Sequence, residues 1–342
     1  MTRVLLTGAS GFIAAHILDL LLAHNHSVRI TVRSQQKADA LISAHPDKAH
    51  LIDVAIVPDI NAPGAFDAAL QSHPPFEAVL HTASPFHFNI TRSIDEDLLN
   101  PAINGTRNVL AAVKQYAPSV KTVVITSSFA SIVDAGLGLA PGKVYTEKDW
   151  NPITLEQARE NASLGYRGSK TWAEKTAWEF LEKEKPNFNI VTVNPPLVLG
   201  PVKPYLAKLE TINTSNERIR DILTPKAAET IKNTGTYLWV DVREVAAAHV
   251  LAFEKPEAAG NRFFVVAGRF SNQLIADIVK KDFPEYAVNI PEERLPLDGY
   301  PAESDAFYNG DNTKSREVLG LHYRSLEESI VDTVKSLKEI GA

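Results

Sequence analysis

Cysteine is absent from this chain of 342 residues. Its absence excludes disulfide bonds, a thiolate nucleophile, and zinc or iron–sulfur sites that are built on cysteine. Long apolar runs are missing too, since no stretch approaches the ~18 residues that a membrane span needs. The first candidate strand begins at Arg3, which leaves no room for a secretory signal peptide before it. We therefore expect a cytoplasmic protein that does not bind a membrane.

Clusters of basic residues are also scarce. The formal net charge is −6 and no basic run occurs, which disfavours nucleic acid as a partner. His81 and His87 are close in sequence, but no third ligand follows at a recognisable spacing, so we expect no metal site. The chain exceeds the usual ~100–200 residues of one domain, which predicts two lobes or one large α/β unit.

Strand-like and helix-like segments alternate along the first part of the chain. Short β-branched runs predict buried parallel strands at 4–7, 27–32, 51–57, 78–83, 122–127 and 189–194. Helical patterns lie between them, which predicts an α/β fold with a doubly wound parallel sheet of the Rossmann type. We place the cofactor-binding domain at 1–196, returning at about 237–266. A smaller C-terminal lobe for the substrate is expected mainly at 197–236 and 267–342.

The first strand runs directly into the sequence TGASGFIA, in which Gly8 and Gly11 form a tight turn before an apolar helix. Such a loop lets the backbone approach a pyrophosphate and directs a helix N-terminus at it. The alternative is that two glycines serve only to turn the chain. The motif therefore indicates a dinucleotide site only together with other features.

The second strand is followed by TVRSQQKA, which contains no acid to hold the ribose 2′-hydroxyl of NAD. Arg33 offers a planar guanidinium to a 2′-phosphate instead, and Lys37 adds a second positive charge. This favours NADPH, although Lys37 at a helix start has a solvated surface charge as its alternative. Asp59, after the third strand, would accept a hydrogen bond from the adenine amino group or cap the next turn.

The fourth and fifth strands end in small and hydroxyl-bearing residues. Thr82, Ala83 and Ser84 keep the chain small where a ribose and diphosphate would cross the carboxyl edge of the sheet. Ser127 and Ser128 end the fifth strand at the same edge. The alternative for both serines is a hydroxyl that merely satisfies a turn.

A helical pattern over 154–184 contains Tyr166 and Lys170, which at i and i+4 lie on one helix face. Alone, the pair is typical of a surface tyrosine covered by a lysine stem. Gly168 between them indicates close packing, by the nicotinamide or by a strand.

Five motifs, TGASGFIA, TSS, YRGSK, NPPLVLGP and VDVREVAAAH, occur in this order over nearly the whole chain. Their order resembles the extended short-chain dehydrogenases/reductases, and most of all the fungal NADPH-dependent methylglyoxal and aldehyde/ketone reductases related to plant dihydroflavonol reductases. The resemblance implies Ser128, Tyr166 and Lys170 as the catalytic triad of a carbonyl reductase. In that role Tyr166 would donate a proton to the carbonyl oxygen, while Lys170 would lower the pKa of the phenol. It implies NADPH contacts at Gly8, Gly11, Phe12, Ile13, Arg33, Lys37, Asp59, Ile60, Thr82, Ala83, Ser84, Tyr166, Lys170, Pro195 and Val198.

The chain departs from the plant enzymes at Val133, where they place an asparagine that holds the flavonoid. We therefore expect an apolar pocket for small ketones and aldehydes, lined by Phe86, Phe129, Val133 and Tyr205, with core packing as the alternative for each. Two other functions stay open: an NAD-dependent nucleotide-sugar epimerase or dehydrogenase of the same fold, and a noncatalytic NADPH-sensing binding protein. The sequence allows a monomer or a homodimer.

Overall fold

The computed structural model describes residues 1–84, 90–224, 231, 233–291 and 306–342. Its strands are β1 Arg3–Thr7, β2 Ser27–Val32, β3 Ile52–Ile56, β4 Ala78–His81, β5 Thr122–Thr126, β6 Val144–Tyr145, β7 Asn189–Asn194, β8 Leu197–Leu199, β9 Leu238–Asp241, β10 Arg262–Phe264, β11 Gly268–Arg269 and β12 Asn309–Gly310. Its α-helices are α1 Phe12–Ala23, α2 Gln35–Ser43, α3 Asp67–Leu70, α4 Asn100–Tyr116, α5 Leu155–Ala158, α6 Ala162–Glu184, α7 Thr214–Leu223, α8 Val242–Glu254, α9 Asn272–Asp282, α10 Thr313–Glu317 and α11 Leu326–Glu339. A π-helical turn, Asp95–Leu99, precedes α4.

Seven strands form the central sheet in the order β10-β7-β5-β4-β1-β2-β3, and every neighbouring pair is parallel. This confirms the predicted doubly wound sheet of the Rossmann type. The strand order changes direction between β1 and β4, and sheets of this kind bind ligands at the carboxyl ends of the strands beside such a switch. The loops after β1, β4 and β5 therefore border the candidate site.

Helices cover both faces of the sheet. Val4 and Leu6 of β1 belong to an apolar layer with α1 and α8, whereas Leu5 belongs to a second layer with α4 and α6. Successive side chains of a strand point to opposite faces, so one short apolar strand contributes to both layers. Helices on both faces thereby hold the strands in place, so that the last residues of each strand lie at one edge of the sheet.

A second, three-stranded sheet in the order β11-β9-β8 lies in the C-terminal part of the chain. The helices α7, α9 and α11 pack around a separate apolar cluster that contains Leu199, Ile219, Phe270 and Val334. Strand β9 pairs with β8 and β11 and so belongs to the small sheet. The chain then comes back to the central sheet, first with α8, which packs on it, and next with β10. Within the described ranges, no helix has the length and apolar character to cross a lipid bilayer.

The predicted helix over 154–184 is two helices. Thr154 and Gln157 form a capping box at the start of α5. The Asn161 side chain then accepts a hydrogen bond from the Leu164 backbone N–H, 3.0 Å away, and so begins α6. Capping side chains supply acceptors that the first turn of a helix lacks, which allows the chain to break here and restart in a new direction. Tyr166 therefore lies in the second turn of α6 and not midway along one long helix.

Candidate active site

The glycine loop lies against the end of β4. Gly8 has a φ of +68°, and a Cβ atom added there would come within 3.0 Å of Ala83 Cα. Gly11 N–H donates to the Gly8 carbonyl, 2.9 Å away, immediately before α1 begins with Phe12 and Ile13. Only glycine tolerates this backbone conformation at no steric cost, so the loop exposes backbone at the helix N-terminus.

Thr7 joins the glycine loop to segment 82–84. Its Oγ1 accepts hydrogen bonds from the Thr82 and Ala83 backbone N–H groups, each at 3.1 Å. The same hydroxyl lies 2.9 Å from His81 Nδ1 and has one proton to donate to it, which leaves the proton of His81 on Nε2. Burial, assisted by the charge of Lys170, lowers the pKa of His81 to about 3, so this ring is neutral at neutral pH.

Two basic side chains are exposed at the end of β2. Arg33 precedes α2, and Lys37 lies in its first turn. Within the described part of the chain, neither makes a hydrogen bond or an ion pair. Asp59 is exposed as well. It accepts a hydrogen bond from Asn61 N–H at 2.8 Å, as expected if it caps the turn, the alternative to binding adenine. Ile60 packs on Gly105 of α4 and anchors this loop.

Ser128 and Tyr166 meet at the carboxyl edge of β5. The Ser128 Oγ and Tyr166 Oη atoms are 3.4 Å apart. Ser128 Oγ also accepts a hydrogen bond from Ala130 N–H at 3.1 Å, so its own proton can be donated elsewhere. Lys170 lies one turn further along the same face of α6. The structure thus brings Ser128 and Tyr166 together, with Lys170 on the same helix face.

Burial dominates the electrostatics of the triad. It raises the pKa of Tyr166, while the Ser128 hydrogen bond and the charge of Arg167 oppose the shift. Burial also lowers the pKa of Lys170 to about 8, and the negative charge of Glu174 opposes that shift. The predicted lowering of the Tyr166 pKa is therefore not what this structure gives, because the loss of water outweighs the neighbouring charges.

Gly168 has a different neighbour from the two predicted for it. A Cβ atom at this position would collide with the side chain of Ala158 in α5, and one at Gly165 would come within 2.7 Å of Ile94. Both glycines therefore let α6 approach α5 and the π-helical turn closely. The prediction missed this contact because a single long helix was expected where α5 and α6 are separate.

The comparison with family models agrees with this geometry. The sequence model of the NAD dependent epimerase/dehydratase family matches residues 4–267, which contain the glycine loop, the strand-end serines and α6. The chain belongs to the NAD-dependent epimerase/dehydratase family. The match confirms the resemblance to the extended short-chain dehydrogenases/reductases.

Relatives within the family cover the whole chain. Ketoreductase azaE of Aspergillus niger is 44% identical over 347 residues, with 98% of each protein covered. The NADPH-dependent methylglyoxal reductase GRE2 of Saccharomyces cerevisiae is 40% identical, covering 98% of this chain and 97% of that protein. The crystal structure of Gre2 from Candida albicans in complex with NADPH has a TM-score of 0.93 and 40% identity, with both chains covered completely.

The aromatic residues expected to line a substrate pocket in this member of the family lie in two separate places. The Phe129 ring stacks on Phe264 with centroids 5.1 Å apart, and Val133 belongs to the same buried cluster. Phe129 is only 4% exposed and Val133 only 5%, so the structure shows core packing, the alternative for both. Phe129 begins a 3-10 turn directly after Ser128, and its ring lies in the buried cluster. Phe86 lies outside the described residues.

Tyr205 is on the α1 side of the fold. Its ring meets the ring of His45, at the end of α2, with centroids 5.8 Å apart. The preceding segment crosses α1, where the Pro201 carbonyl lies 2.9 Å from His16 Nε2. Tyr205 is therefore not part of the cluster around Phe129, because this segment follows α1 before it enters the C-terminal lobe.

Pro195 and Val198, which the resemblance implies as NADPH contacts, lie in a segment next to the loop that carries Ser128. The Pro195 carbonyl accepts a hydrogen bond from Phe129 N–H at 2.8 Å. Val198 pairs with Val240 in the small sheet. This segment connects the central sheet to the C-terminal lobe directly behind the loop that carries Ser128.

The sequence analysis passed over a buried acid in the site. Glu174 lies one turn beyond Lys170 on α6, and it is 2% exposed. The signal was present as a third polar residue in the stripe formed by Tyr166 and Lys170, spaced by four. An i+4 carboxylate after a lysine is typical of a solvated helix surface, so the sequence alone does not distinguish it from ordinary surface charge.

A group of potential metal ligands lies at the opposite end of the strands. His24 Nδ1 and His26 Nε2 are each 2.9 Å from the same Glu254 oxygen. His26 Nδ1 accepts a hydrogen bond from Thr2 N–H at 3.2 Å, which places the ring proton on Nε2, the atom that a metal would need. The arrangement is therefore that of two histidines donating to one carboxylate.

Proposed function

We propose that this protein is an NADPH-dependent carbonyl reductase that converts small, mostly apolar ketones and aldehydes to alcohols. The observation that carries the proposal is the 3.4 Å approach of Ser128 to Tyr166 at the carboxyl edge of the sheet, one helical turn from Lys170. Relatives named ketoreductase and NADPH-dependent methylglyoxal reductase, similar over the whole chain, support the same reaction.

The residues around the glycine loop fit a dinucleotide. Glycine is required at position 8 because a side chain would strike Ala83, so the loop offers backbone N–H groups at close range. Arg33 and Lys37 would hold the 2′-phosphate, since neither is engaged with another described residue. Asp59 and Ile60 would border the adenine. Segments 82–84 and 195–198 would lie along the remainder of the cofactor.

The side chains of the triad divide the proton chemistry between them. NADPH supplies the hydride that reduces the carbonyl carbon. Tyr166 keeps its proton through neutral pH, because its pKa is raised, and would donate it to the carbonyl oxygen. Ser128 would donate a hydrogen bond to the same oxygen and orient it. Lys170, charged below a pKa of about 8, would stabilise the tyrosinate left after the transfer and hold the ribose hydroxyls.

Two observations weigh against the other functions. An epimerase that retains NAD would need an acid after β2 to hold the ribose, and this chain has Arg33 there. A noncatalytic NADPH sensor would need no proton donor, whereas Ser128 and Tyr166 are placed together at the carboxyl edge of the sheet. Both observations favour turnover with a released nicotinamide cofactor.

The setting of the enzyme is part of the same proposal. We place it in the cytoplasm, on the composition described above, and we propose that it works as a monomer or a homodimer without a nucleic-acid or membrane partner. Light scattering on the purified protein distinguishes the two assembly states.

The test is an assay of aldehydes, diketones and ketoesters in which the loss of NADPH absorbance is followed. We expect the wild type to oxidise NADPH with several of these compounds and to release the oxidised cofactor. The Tyr166→Phe variant should bind NADPH without comparable turnover. A wild type that binds NADPH and reduces none of the compounds would favour the sensor.

A further inference from the structure

The carboxylate of Glu174 is buried inside the fold, one turn beyond Lys170 on the same face of α6. Taking a charged carboxylate out of water costs several kcal/mol unless it is paired and hydrogen-bonded, by the usual order of magnitude. Burial alone would raise the pKa of Glu174. Arg262 and the neighbouring hydroxyl groups outweigh burial and lower it, so this side chain is an anion at neutral pH.

Donors from four parts of the fold surround the two oxygens of Glu174. They are the Ser127 hydroxyl, the Ser131 hydroxyl at 2.6 Å, the Thr192 hydroxyl at 3.1 Å, Asn194 Nδ2 at 2.7 Å, Arg262 Nε at 2.6 Å and Trp178 Nε1 at 3.3 Å. Such a number of donors exceeds what one ion pair needs. The carboxylate therefore joins the end of β5, strands β7 and β10, and α6.

One branch of this network leads to the catalytic serine. Ser131 Oγ lies 2.6 Å from Glu174 Oε2 and 2.7 Å from the Ser128 carbonyl oxygen, and its single proton serves one of them at a time. Asn194 Nδ2 donates to both Ser131 Oγ, at 3.0 Å, and Glu174. The turn from 127 to 131, which carries Ser128, is thus fastened to the carboxylate at both ends.

The other branch is electrostatic and leads to Lys170. Glu174 is one turn away on the same helix, and its negative charge favours the charged form of Lys170 against burial. On the β4 side, His81 is neutral and offers no countercharge. On the β10 side, Arg262 is paired with Glu174 and lies over the Trp150 ring at 3.7 Å. Arg167, on α6 itself, carries positive charge close to Tyr166.

We propose that Glu174 is a positioning residue of this reductase: its buried carboxylate keeps Lys170 charged and holds the turn that presents Ser128 to Tyr166. The proposal rests on the function proposed above, and it extends the site by one group that touches neither substrate nor cofactor. A purely structural ion pair with Arg262 would contribute to stability and leave the protonation of Lys170 unchanged.

The test is the pH dependence of NADPH affinity, followed by the fluorescence of the bound cofactor, for the wild type and Glu174→Gln. A charged Lys170 is needed to hold the ribose, so wild-type affinity should fall as the pH rises through about 8. In Glu174→Gln the midpoint should move to lower pH by about 1 unit, the lower end of the effect of an adjacent opposite charge. In Lys170→Ala the NADPH affinity should not fall in this pH range.

Glu179→Gln is the matched control. Glu179 is on the same helix but exposed, where it pairs with Lys183 at 3.0 Å. The midpoint of the pH dependence of NADPH affinity in Glu179→Gln should equal that of the wild type. If Glu174→Gln does not fold, the double variant Glu174→Gln/Arg262→Met removes both buried charges and tests the same shift, since it leaves no unpaired charge in the interior.

An unchanged midpoint in a folded Glu174 variant, with reduced thermal stability only, would overturn the proposal and leave a structural ion pair. A wild type that fails to bind NADPH at any pH would instead contradict the proposed function. The two failures are therefore distinguishable in one set of titrations.

Discussion

The hydroxyl of Ser128 lies 3.4 Å from the phenol of Tyr166, although 38 positions separate the two residues in the sequence. Ser128 comes from the loop after β5, and Tyr166 from the second turn of α6, which packs behind the same sheet. Neither residue is placed by its neighbours in sequence. Their approach depends on the break between α5 and α6 and on the glycine contacts that bring α6 close.

The first prediction concerns the proton donor. Tyr166→Phe removes the phenolic oxygen and keeps the ring, so NADPH affinity should stay near that of the wild type. We expect kcat to fall by ~10²–10⁴, the usual loss for a positioned general acid. Steady-state kinetics and a cofactor titration on the same preparation measure both. Near-normal turnover would exclude Tyr166 as the donor.

The second prediction concerns the alkaline limit of activity. Lys170 is charged below its pKa of about 8, whereas Tyr166 keeps its proton beyond its ordinary value of 10.0. Activity should therefore be lost as the pH rises through the pKa of Lys170 and not through that of Tyr166. Arginine stays charged throughout this range, so any activity left in Lys170→Arg should persist to higher pH. If both proteins lose activity at the same pH, the loss is due to the titration of another group.

The third prediction concerns the choice of cofactor. Arg33→Asp should repel the 2′-phosphate and offer an acceptor to the ribose of NADH. The ratio of kcat/KM for NADPH to that for NADH should fall by at least about tenfold, which corresponds to roughly 1.4 kcal/mol. Lys37→Ala, one helical turn away, should have a smaller effect. If the ratio is unchanged in Arg33→Asp, the phosphate is recognised by other residues.

The sequence predicted the central sheet and the glycine turn, because buried β-branched runs and a tight glycine turn are local patterns. The i, i+4 spacing likewise placed Tyr166 and Lys170 on one helix face, whereas the approach of Ser128 to Tyr166 depends on the fold. It also predicted the family to which the chain belongs. Such patterns are reliable because each depends on residues that are close in sequence.

Other features could not be read locally. Phe129, Val133 and Tyr205 are apolar in sequence whether they face a pocket or the core, and only the packing of β10 and α1 decides between the two. Glu174 looks like a surface residue until its donors, which come from 127 to 262, are assembled around it. The pKa of Tyr166 follows from burial, a property of the whole fold.

The fourth prediction concerns the contact between α5 and α6. Gly168→Ala gains up to ~1 kcal/mol of helix propensity, but its methyl group would collide with Ala158. Overpacking of this kind typically costs ~1–3 kcal/mol, so we expect the free energy of unfolding to decrease in a denaturant titration. The double variant Gly168→Ala/Ala158→Gly reopens the space and should recover stability. Equal loss in both variants would contradict this account of the contact.

The last prediction separates a pocket wall from a core residue. The Phe129 ring stacks on Phe264 and meets Tyr145 edge-on, with centroids 5.4 Å apart in the second pair. Phe129→Ala should therefore lower the free energy of unfolding by ~3–5 kcal/mol, the usual cost of truncating a buried phenylalanine. Phe129→Leu, which fills most of the space, should lose less.

Selectivity provides the decisive comparison for Phe129, because stability alone does not show whether substrate touches the ring. We expect the Phe129→Leu variant to keep the wild-type ratio of kcat/KM for ketones with large and small substituents, and the same enantiomeric excess. An apolar wall distinguishes substrates that differ by one methylene by ~1–3 kcal/mol, so a wall residue would change that ratio clearly. A changed ratio with unchanged NADPH affinity would restore Phe129 to the pocket, and an unchanged ratio would direct the search to other residues near Tyr166.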